Sequence, residues 1–187
     1  LVNRQSLIVN TPWAGTFHSF CARVLRYEGK YLGIPPNYLI YDEADQKDTL
    51  KLAIDKLDLS PKRFSPQAVA TIISQAKNEL ITPLEYLNYV QGEWQQGVAQ
   101  IYLKYQQLLK EFGALDFDDL LMSTVRLFQK EKTVAQKYQQ HYQWILIDEY
   151  QDTNHAQYTL TRLLAGSRRN LTVVGDCSQS IYSWRGA

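Results

Sequence analysis

The chain is poor in cysteine and carries almost no excess charge. Its two cysteines, Cys21 and Cys177, lie far apart in the sequence, and neither stands at a metal-ligand spacing. This arrangement argues against a disulfide framework and against a zinc site. Twenty basic and nineteen acidic residues leave a net charge of +1, so no overall attraction to nucleic acid is predicted. Any such contact must be local.

Long apolar runs are also missing. The 187 residues contain no apolar stretch of about 20 residues and no signal-like start, so the sequence predicts neither a membrane span nor export. Together with the low cysteine content, this pattern predicts a reduced, cytoplasmic protein. The first residue is Leu1 rather than Met, and the chain stops immediately after a motif described below. We therefore expect a piece of a longer protein.

A strand, a helix and a second strand are predicted in the C-terminal part. Two short apolar runs, residues 144–147 and 171–174, flank an amphipathic segment. Runs of this kind, separated by about two dozen residues, are typical of buried parallel strands joined by a right-handed crossover. Ligands collect at the carboxyl edge of such a sheet. The first run ends in Asp148 and Glu149, which makes this edge the candidate site.

Asp148 and Glu149 offer the chemistry that nucleotide hydrolysis on magnesium requires. A hard cation prefers carboxylate oxygen, and a second carboxylate can orient and deprotonate an attacking water. The structural alternative is that the two acids cap the next helix, because acids favour helix starts. The polar residues that also follow the second run favour the functional interpretation.

The segment after the second run mixes aromatic and basic side chains. It contains Gln179, Tyr182, Trp184 and Arg185 within a few positions. Aromatic rings beside a guanidinium group suit stacking on nucleic-acid bases. The alternative is that Trp184 fills the core of the domain.

The stretch between Tyr41 and about residue 140 is predicted to be almost entirely helical. Asp42 is a predicted helix cap, and Gly113 is a predicted helix terminator. Before this stretch, a brief strand from Ala14 should lead into a helix over residues 17–31 with a solvated basic face. The scattered lysines of the helical stretch do not by themselves indicate a binding face; they include Lys47, Lys51, Lys56, Lys62 and Lys77. The predicted fold class is α/β, with a mostly helical insertion.

Four segments resemble, in order, the motifs of the UvrD/Rep/PcrA group of superfamily 1 DNA helicases. GTFHSFCARVLR at residues 15–26 is similar to the TFHS motif of that group, and LDFDDLL at 115–121 is similar to its DFDDL segment. IDEYQDTN at 147–154 resembles motif II, the Walker B region, and GDCSQSIYSWRGA at 175–187 resembles motif III. The last two are highly specific, and the resemblance covers nearly the whole chain.

The resemblance implies an organisation into two domains. Residues 1–32 and 114–187 would belong to motor domain 1A, a partial RecA-like P-loop NTPase sheet. Residues 33–113 would form the helical insertion domain 1B.

The resemblance also implies roles for individual residues. Asp148 would hold Mg²⁺, Glu149 would act as the general base, and Gln179 would contact the γ-phosphate of ATP. Single-stranded DNA would be bound by two groups of residues, namely Thr16, Phe17 and His18, and Tyr182, Trp184 and Arg185. Cys177 and Ser178 depart from the group's pattern, in which these positions are often acidic.

The implied function is that of an ATP-dependent DNA helicase. Such an enzyme translocates on single-stranded DNA, in the 3′ to 5′ direction for this group, and unwinds DNA at duplex junctions. The sequence has no G-x-x-x-x-G-K-[ST] phosphate-binding loop, so we expect the 187-residue piece itself to be inactive.

Two alternatives remain open at this point. The chain could belong to a helicase-nuclease of the RecBCD or AddAB type, or it could be a non-enzymatic helical module that binds DNA or another protein. The flanking reading frame would distinguish them, because a phosphate-binding loop upstream indicates a motor and a nuclease domain downstream indicates the first alternative.

Overall fold

The computed structural model describes residues 12–176. In this range the chain forms eight α-helices and four strands of three residues each. The helices are α1 (Phe17–Glu28), α2 (Glu43–Lys56), α3 (Pro66–Asn78), α4 (Pro83–Tyr86), α5 (Glu93–Glu111), α6 (Phe117–Lys130), α7 (Lys132–His141) and α8 (His155–Ala165). The strands are β1 (Leu39–Tyr41), β2 (Ala114–Asp116), β3 (Ile145–Ile147) and β4 (Leu171–Val173). None of these helices has the length and apolar content needed to cross a membrane.

The four strands form two separate parallel pairs. In the first pair β1 lies beside β2, with Leu39 opposite Ala114. In the second pair β3 lies beside β4, with Ile145 opposite Leu171. The second pair and α8 between its strands confirm the predicted strand, helix and strand. The described part of the chain is therefore a mixed structure of many helices and short parallel strands.

The pairing of β1 with β2 corrects the expectation of an almost wholly helical stretch from Tyr41 to about residue 140. Strand β2 lies within that stretch and interrupts it between α5 and α6. Each of the two strands has three residues, which is too short to show the alternation by which a strand is identified. Strands β3 and β4 are equally short and were predicted from their apolar runs, so the miss reflects the large sequence separation across which β1 and β2 pair.

Side-chain caps fix the start of several helices. Asp42, Asp116 and Asn154 each accept a hydrogen bond from a backbone N–H in the first turn of the helix that follows, and each is part of a capping box. The predicted cap at Asp42 is confirmed. Gly113 has a φ of 62° just beyond the end of α5, which confirms the predicted terminator, because glycine adopts this left-handed conformation without a steric penalty.

Helix α1 differs in two ways from its prediction. No strand forms among residues 12–16; Thr16 instead caps the helix by accepting a hydrogen bond from the backbone N–H of Ser19. The α-helix ends at Glu28, where a 3₁₀ segment, Gly29–Leu32, takes over. The predicted basic face is solvated, since Arg23, Arg26 and Lys30 are all exposed.

The buried side chains form two clusters. The first core joins α1, α6, α7 and α8, and its members include Val24, Leu120, Val125, Val134 and Leu160. The second core joins α2, α3 and α5, and its members include Leu50, Ile54, Ile73, Ile101 and Leu108. We refer to α2, α3 and α5 as the helical unit.

Candidate functional site

The acid pair stands at the carboxyl end of β3, as predicted from the sequence. Asp148 and Glu149 follow directly on Ile147 and are both exposed. The backbone ladder continues past the strands, because the Val174 N–H donates to the Ile147 carbonyl at 2.8 Å and the Tyr150 N–H donates to the Val174 carbonyl at 2.9 Å. The two acids are therefore anchored to the end of the neighbouring strand.

The surface around this strand pair is apolar and open. Leu146 is 75% exposed and Val174 is 58% exposed. This exposure corrects the prediction of buried strands, because Ile147 is the one residue of β3 and β4 that is buried.

The backbone at Glu149 adopts a left-handed conformation, with φ 52° and ψ 41°. This conformation turns the chain sharply out of the strand. The Asp148 carboxylate accepts a hydrogen bond from the Glu149 N–H at 3.0 Å. A short 3₁₀ turn, Tyr150–Asp152, follows and leads into α8. We call residues 148–154 the acid-pair segment.

Gln151 joins the two strand ends. Its side-chain Nε2 donates to the Glu149 carboxylate at 2.6 Å, and its Oε1 accepts from the backbone N–H of Asp176 at 3.0 Å. One amide side chain therefore fixes the Glu149 carboxylate relative to the loop that follows β4. Gly175 makes room for this contact, since a Cβ atom there would lie 2.7 Å from Gln151 Oε1.

The donor set at this edge fits the chemistry of magnesium. Mg²⁺ is commonly held by one or two carboxylates, with water and nucleotide phosphate as the remaining ligands. Asp148 and Glu149 supply two exposed carboxylates. Among residues 12–176, no group of three or more His, Cys, Asp or Glu side chains is placed to hold a metal. The two carboxylates at this edge therefore fit the ligand preference of Mg²⁺.

Part of the TFHS segment lies against the DFDDL segment. The His18 ring packs edge-on against Phe117, with ring centroids 5.6 Å apart. Burial lowers the pKa of His18, which favours the neutral imidazole. Phe17 is half-buried beside the first core, whereas Thr16 is exposed and caps α1.

A cleft of about 460 Å³ separates the helical unit from the starts of α6 and α8. Three of the segments singled out in the sequence meet at its walls: His18 from TFHS, Phe117 from DFDDL, and Asp152 and Asn154 from the acid-pair segment. The acid pair itself does not line this cleft. Of the predicted site residues that the structure describes, Asp148 and Glu149 lie at the strand edge and His18 lines the cleft, whereas Thr16 and Phe17 line neither region.

Four of the predicted site residues fall outside the described part of the chain. These are Gln179, Tyr182, Trp184 and Arg185, and their predicted roles stay predictions.

A buried ionic cluster was not predicted from the sequence. Lys77, near the end of α3, is fully buried; its Nζ lies 2.6 Å from Asp116 Oδ2 and 2.9 Å from Asp119 Oδ1. The Tyr105 hydroxyl donates to Asp116 at 2.8 Å, and the Gln106 amide donates to Asp119 at 2.9 Å. This cluster ties α3 and α5 to the start of α6. It also corrects the grouping of Lys77 with the scattered surface lysines.

The charged groups in this cluster shift one another's pKa values. Burial alone would lower the pKa of Lys77, but the carboxylates of Asp116 and Asp119 outweigh it and raise that pKa. Burial opposes ionisation of Asp116, yet the ammonium of Lys77 holds the pKa of Asp116 below its ordinary value. Burial and the charge of Asp116 raise the pKa of Asp119 to about 7. Of the two carboxylates, Asp116 makes the shorter contact with the Lys77 ammonium, at 2.6 Å against 2.9 Å for Asp119.

The sequence signal for this cluster is the position of Lys77. Lys77 follows Ile73 by four residues and Ala76 by one, on the side of α3 that faces the second core. A charged residue on an apolar helix stripe indicates a buried partner.

Comparison with known proteins gives matches over the whole chain. The family model described as the UvrD/REP helicase N-terminal domain matches residues 2–187. Proteins named ATP-dependent DNA helicase PcrA are similar to the chain. The one from Bacillus subtilis (strain 168) is 46% identical over 175 residues, 94% of this chain and 24% of the relative. The one from Staphylococcus aureus (strain Mu50) is 45% identical over 187 residues, all of this chain and 25% of the relative.

A third relative, the PcrA helicase of Leuconostoc citreum, is 43% identical over 175 residues, 94% of this chain and 23% of the relative. The chain thus spans about a quarter of the length of the curated relatives that it matches. Since the family model covers nearly every residue, and the acid pair stands at the strand end where motif II was predicted, the chain belongs to the UvrD/REP helicase N-terminal domain family.

Proposed function

We propose that the chain is part of an ATP-dependent DNA helicase that couples ATP hydrolysis to movement along single-stranded DNA, 3′ to 5′, and to unwinding at duplex junctions. The observation that carries this proposal is the acid pair at the carboxyl end of β3, with Glu149 held by Gln151 against the end of β4. This arrangement places two carboxylates where parallel α/β sheets bind ligands. The names of the relatives favour this function over the two alternatives.

The proposed architecture is a RecA-like motor domain interrupted by a helical domain. Residues 1–32 and 114–187 form the motor part, and residues 33–113 form the insertion. The two cores support this division, because the first core consists mainly of α1, α6, α7 and α8 and the second mainly of the helical unit.

The residues of the acid pair take different roles in the proposed mechanism. Asp148 would hold Mg²⁺, which when bound supplies charge neutralisation at the phosphates of ATP. Glu149 accepts the proton of the attacking water as general base. Gln151 orients the Glu149 carboxylate through the 2.6 Å hydrogen bond. Gln179 contacts the γ-phosphate.

Single-stranded DNA is proposed to contact the TFHS segment and the motif III segment. Thr16, Phe17 and His18 supply the first group of contacts, and Tyr182, Trp184 and Arg185 supply the second. The cleft beside His18 is lined by several acids, including Asp42, Glu43, Asp118 and Asp152. Carboxylates repel phosphate, so contacts at this cleft involve bases rather than the backbone of the DNA.

We further propose that the full-length protein acts in the cytoplasm.

Replacement of Glu149 tests the proposed function in the full-length protein. Glu149→Gln keeps the shape of the side chain and removes the base, so ATP hydrolysis should fall by about 10² to 10⁴ while ATP binding stays nearly unchanged. Steady-state turnover and nucleotide binding by fluorescence measure the two effects.

The matched control for this experiment is Glu111→Gln, a change of the same kind at an exposed position at the end of α5. This variant should hydrolyse ATP at the wild-type rate. Near-normal turnover of Glu149→Gln would remove Glu149 from the mechanism.

A further inference from the structure

A hydrogen bond connects the acid-pair segment to the helical unit. The side-chain Nδ2 of Asn154 donates to Oδ1 of Asn78 at 2.8 Å. Asn154 is the cap of α8, and Asn78 is the last residue of α3. Both side chains are half-buried. The contact therefore bridges two parts of the chain that belong mainly to different cores.

Hydrogen bonds within the acid-pair segment connect the residues between Glu149 and Asn154. The Asp152 N–H donates to the Glu149 carbonyl at 3.0 Å, and the Thr153 hydroxyl donates to the Tyr150 carbonyl at 2.8 Å. These bonds leave little freedom between the proposed general base and the cap of α8. Asn154 and Glu149 are thus joined through a hydrogen-bonded turn.

Asn154 carries an amide group that helix capping does not require. Capping uses only its oxygen, since Oδ1 accepts from the Gln157 N–H at 2.9 Å. Serine, threonine or aspartate would cap the helix about as well. Asparagine alone among these adds an amide donor, and that donor is the group that reaches Asn78. The residue therefore does more than begin a helix.

On the other side, the end of α3 is firmly anchored. Lys77 precedes Asn78 and is fully buried between Asp116 and Asp119. Asp116 also accepts from the Tyr105 hydroxyl. Because buried, hydrogen-bonded charges are costly to separate, Asn78 is held in place relative to α5 and α6.

We propose that Asn78 and Asn154 are positioning residues that couple DNA binding to ATP hydrolysis. DNA bound in the cleft, which both asparagines line, steadies the hydrogen bond between them, and this bond holds the acid-pair segment in place. The inference rests on the proposed function, because it requires hydrolysis at Glu149 and DNA bound to the same protein. Neither asparagine touches the nucleotide.

Two substitutions remove this bond from opposite sides in the full-length protein. Asn154→Ser keeps a capping oxygen but is too short to reach Asn78, and Asn78→Ala removes the acceptor. ATP hydrolysis is measured with and without an oligo(dT) single strand. We expect the stimulated kcat to fall about two- to tenfold in each variant, the range that one hydrogen bond supports. DNA-free turnover and the KM for ATP should stay within about twofold of wild type.

The double variant and the conservative variant distinguish coupling from a local structural role. Asn154→Ser combined with Asn78→Ala should be no worse than either single change, because both break the same bond. Asn78→Asp keeps an acceptor for the Asn154 amide and should retain most of the stimulation. Glu79→Gln, at an exposed position directly after α3 and outside the cleft, is the matched control and should behave as wild type.

Each outcome distinguishes a failure of the proposed function from a failure of this inference alone. A wild-type protein without DNA-stimulated hydrolysis overturns the proposed function and this inference with it. Stimulated hydrolysis that is unaltered in both single variants overturns the inference alone, and so do additive losses in the double variant. Each variant should melt at a temperature close to that of wild type. Serine was chosen at position 154 because it still caps α8 and so preserves this stability.

Discussion

At the scale of single residues, the stability of the fold depends most on the buried side chain of Lys77. Lys77→Met keeps much of the volume but leaves Asp116 and Asp119 without their cation in the interior. Removing one partner of a buried ion pair costs about 3–5 kcal/mol, and we expect a loss of this size in the free energy of unfolding, measured by urea denaturation of the chain. The loss is large because the remaining carboxylates are buried.

The matched control is Lys51→Met, which breaks an ion pair of α2 with Asp48 that is exposed on both sides. Water screens that pair, so its loss should leave the urea midpoint nearly unchanged. Equal stability of the two variants would show that the buried cluster contributes nothing beyond a surface pair.

The residues of the site were predictable to different degrees. The position of Asp148 and Glu149 at a strand end follows from the apolar run before them. The resemblance implies that Gln151 ties motif II to its neighbours, whereas its partner on the loop after β4, the Asp176 N–H, is given only by the structure. Lys77 could not be assigned to its partners from the sequence, because Asp116 lies 39 positions away.

At the scale of helices, the packing of α5 depends on one glycine. Gly97 lies in the interior of α5, and a Cβ atom there would lie 2.3 Å from the ring of the buried Phe64. Alanine normally favours a helix over glycine by about 1 kcal/mol. In this case the clash should dominate, and we expect Gly97→Ala to destabilise the chain by about 1–3 kcal/mol in thermal or urea unfolding.

Two further variants test the cause of this loss. Gln100→Ala changes an exposed position of the same helix and should be neutral or slightly stabilising. Phe64→Leu combined with Gly97→Ala should lose less than the sum of the two changes, because the smaller side chain makes room for the methyl group. Additive losses would show that the ring is not the obstacle.

Long amphipathic helices were predicted well, but only two of the four short strands were, namely β3 and β4. Helices such as α3 and α5 repeat apolar residues over several turns, so periodicity identifies them. Strands β1 and β2 are held by pairing across a large sequence separation. Strands β3 and β4 were found because their flanking polar residues marked both ends.

At the scale of the whole molecule, the chain by itself should not turn over ATP. In phosphoryl transfer, positioning and charge stabilisation supply nearly all of the catalysis, and this sequence has no phosphate-binding loop. We expect no turnover above background from the purified 187-residue chain, with or without single-stranded DNA, in an assay where the full-length protein is active. DNA-stimulated turnover by the pure chain would contradict the proposed division of the motor.

The left-handed backbone at Glu149 sets fold stability against the proposed catalytic role of this residue. A residue with a side chain held at a φ of 52° carries a conformational cost of about 1–3 kcal/mol. Glycine at this position would relieve the cost and would also remove the proposed base. A library of this protein selected for heat resistance alone would therefore enrich Glu149→Gly. Variants selected in this way would be more stable to heat but would lack the proposed general base for ATP hydrolysis.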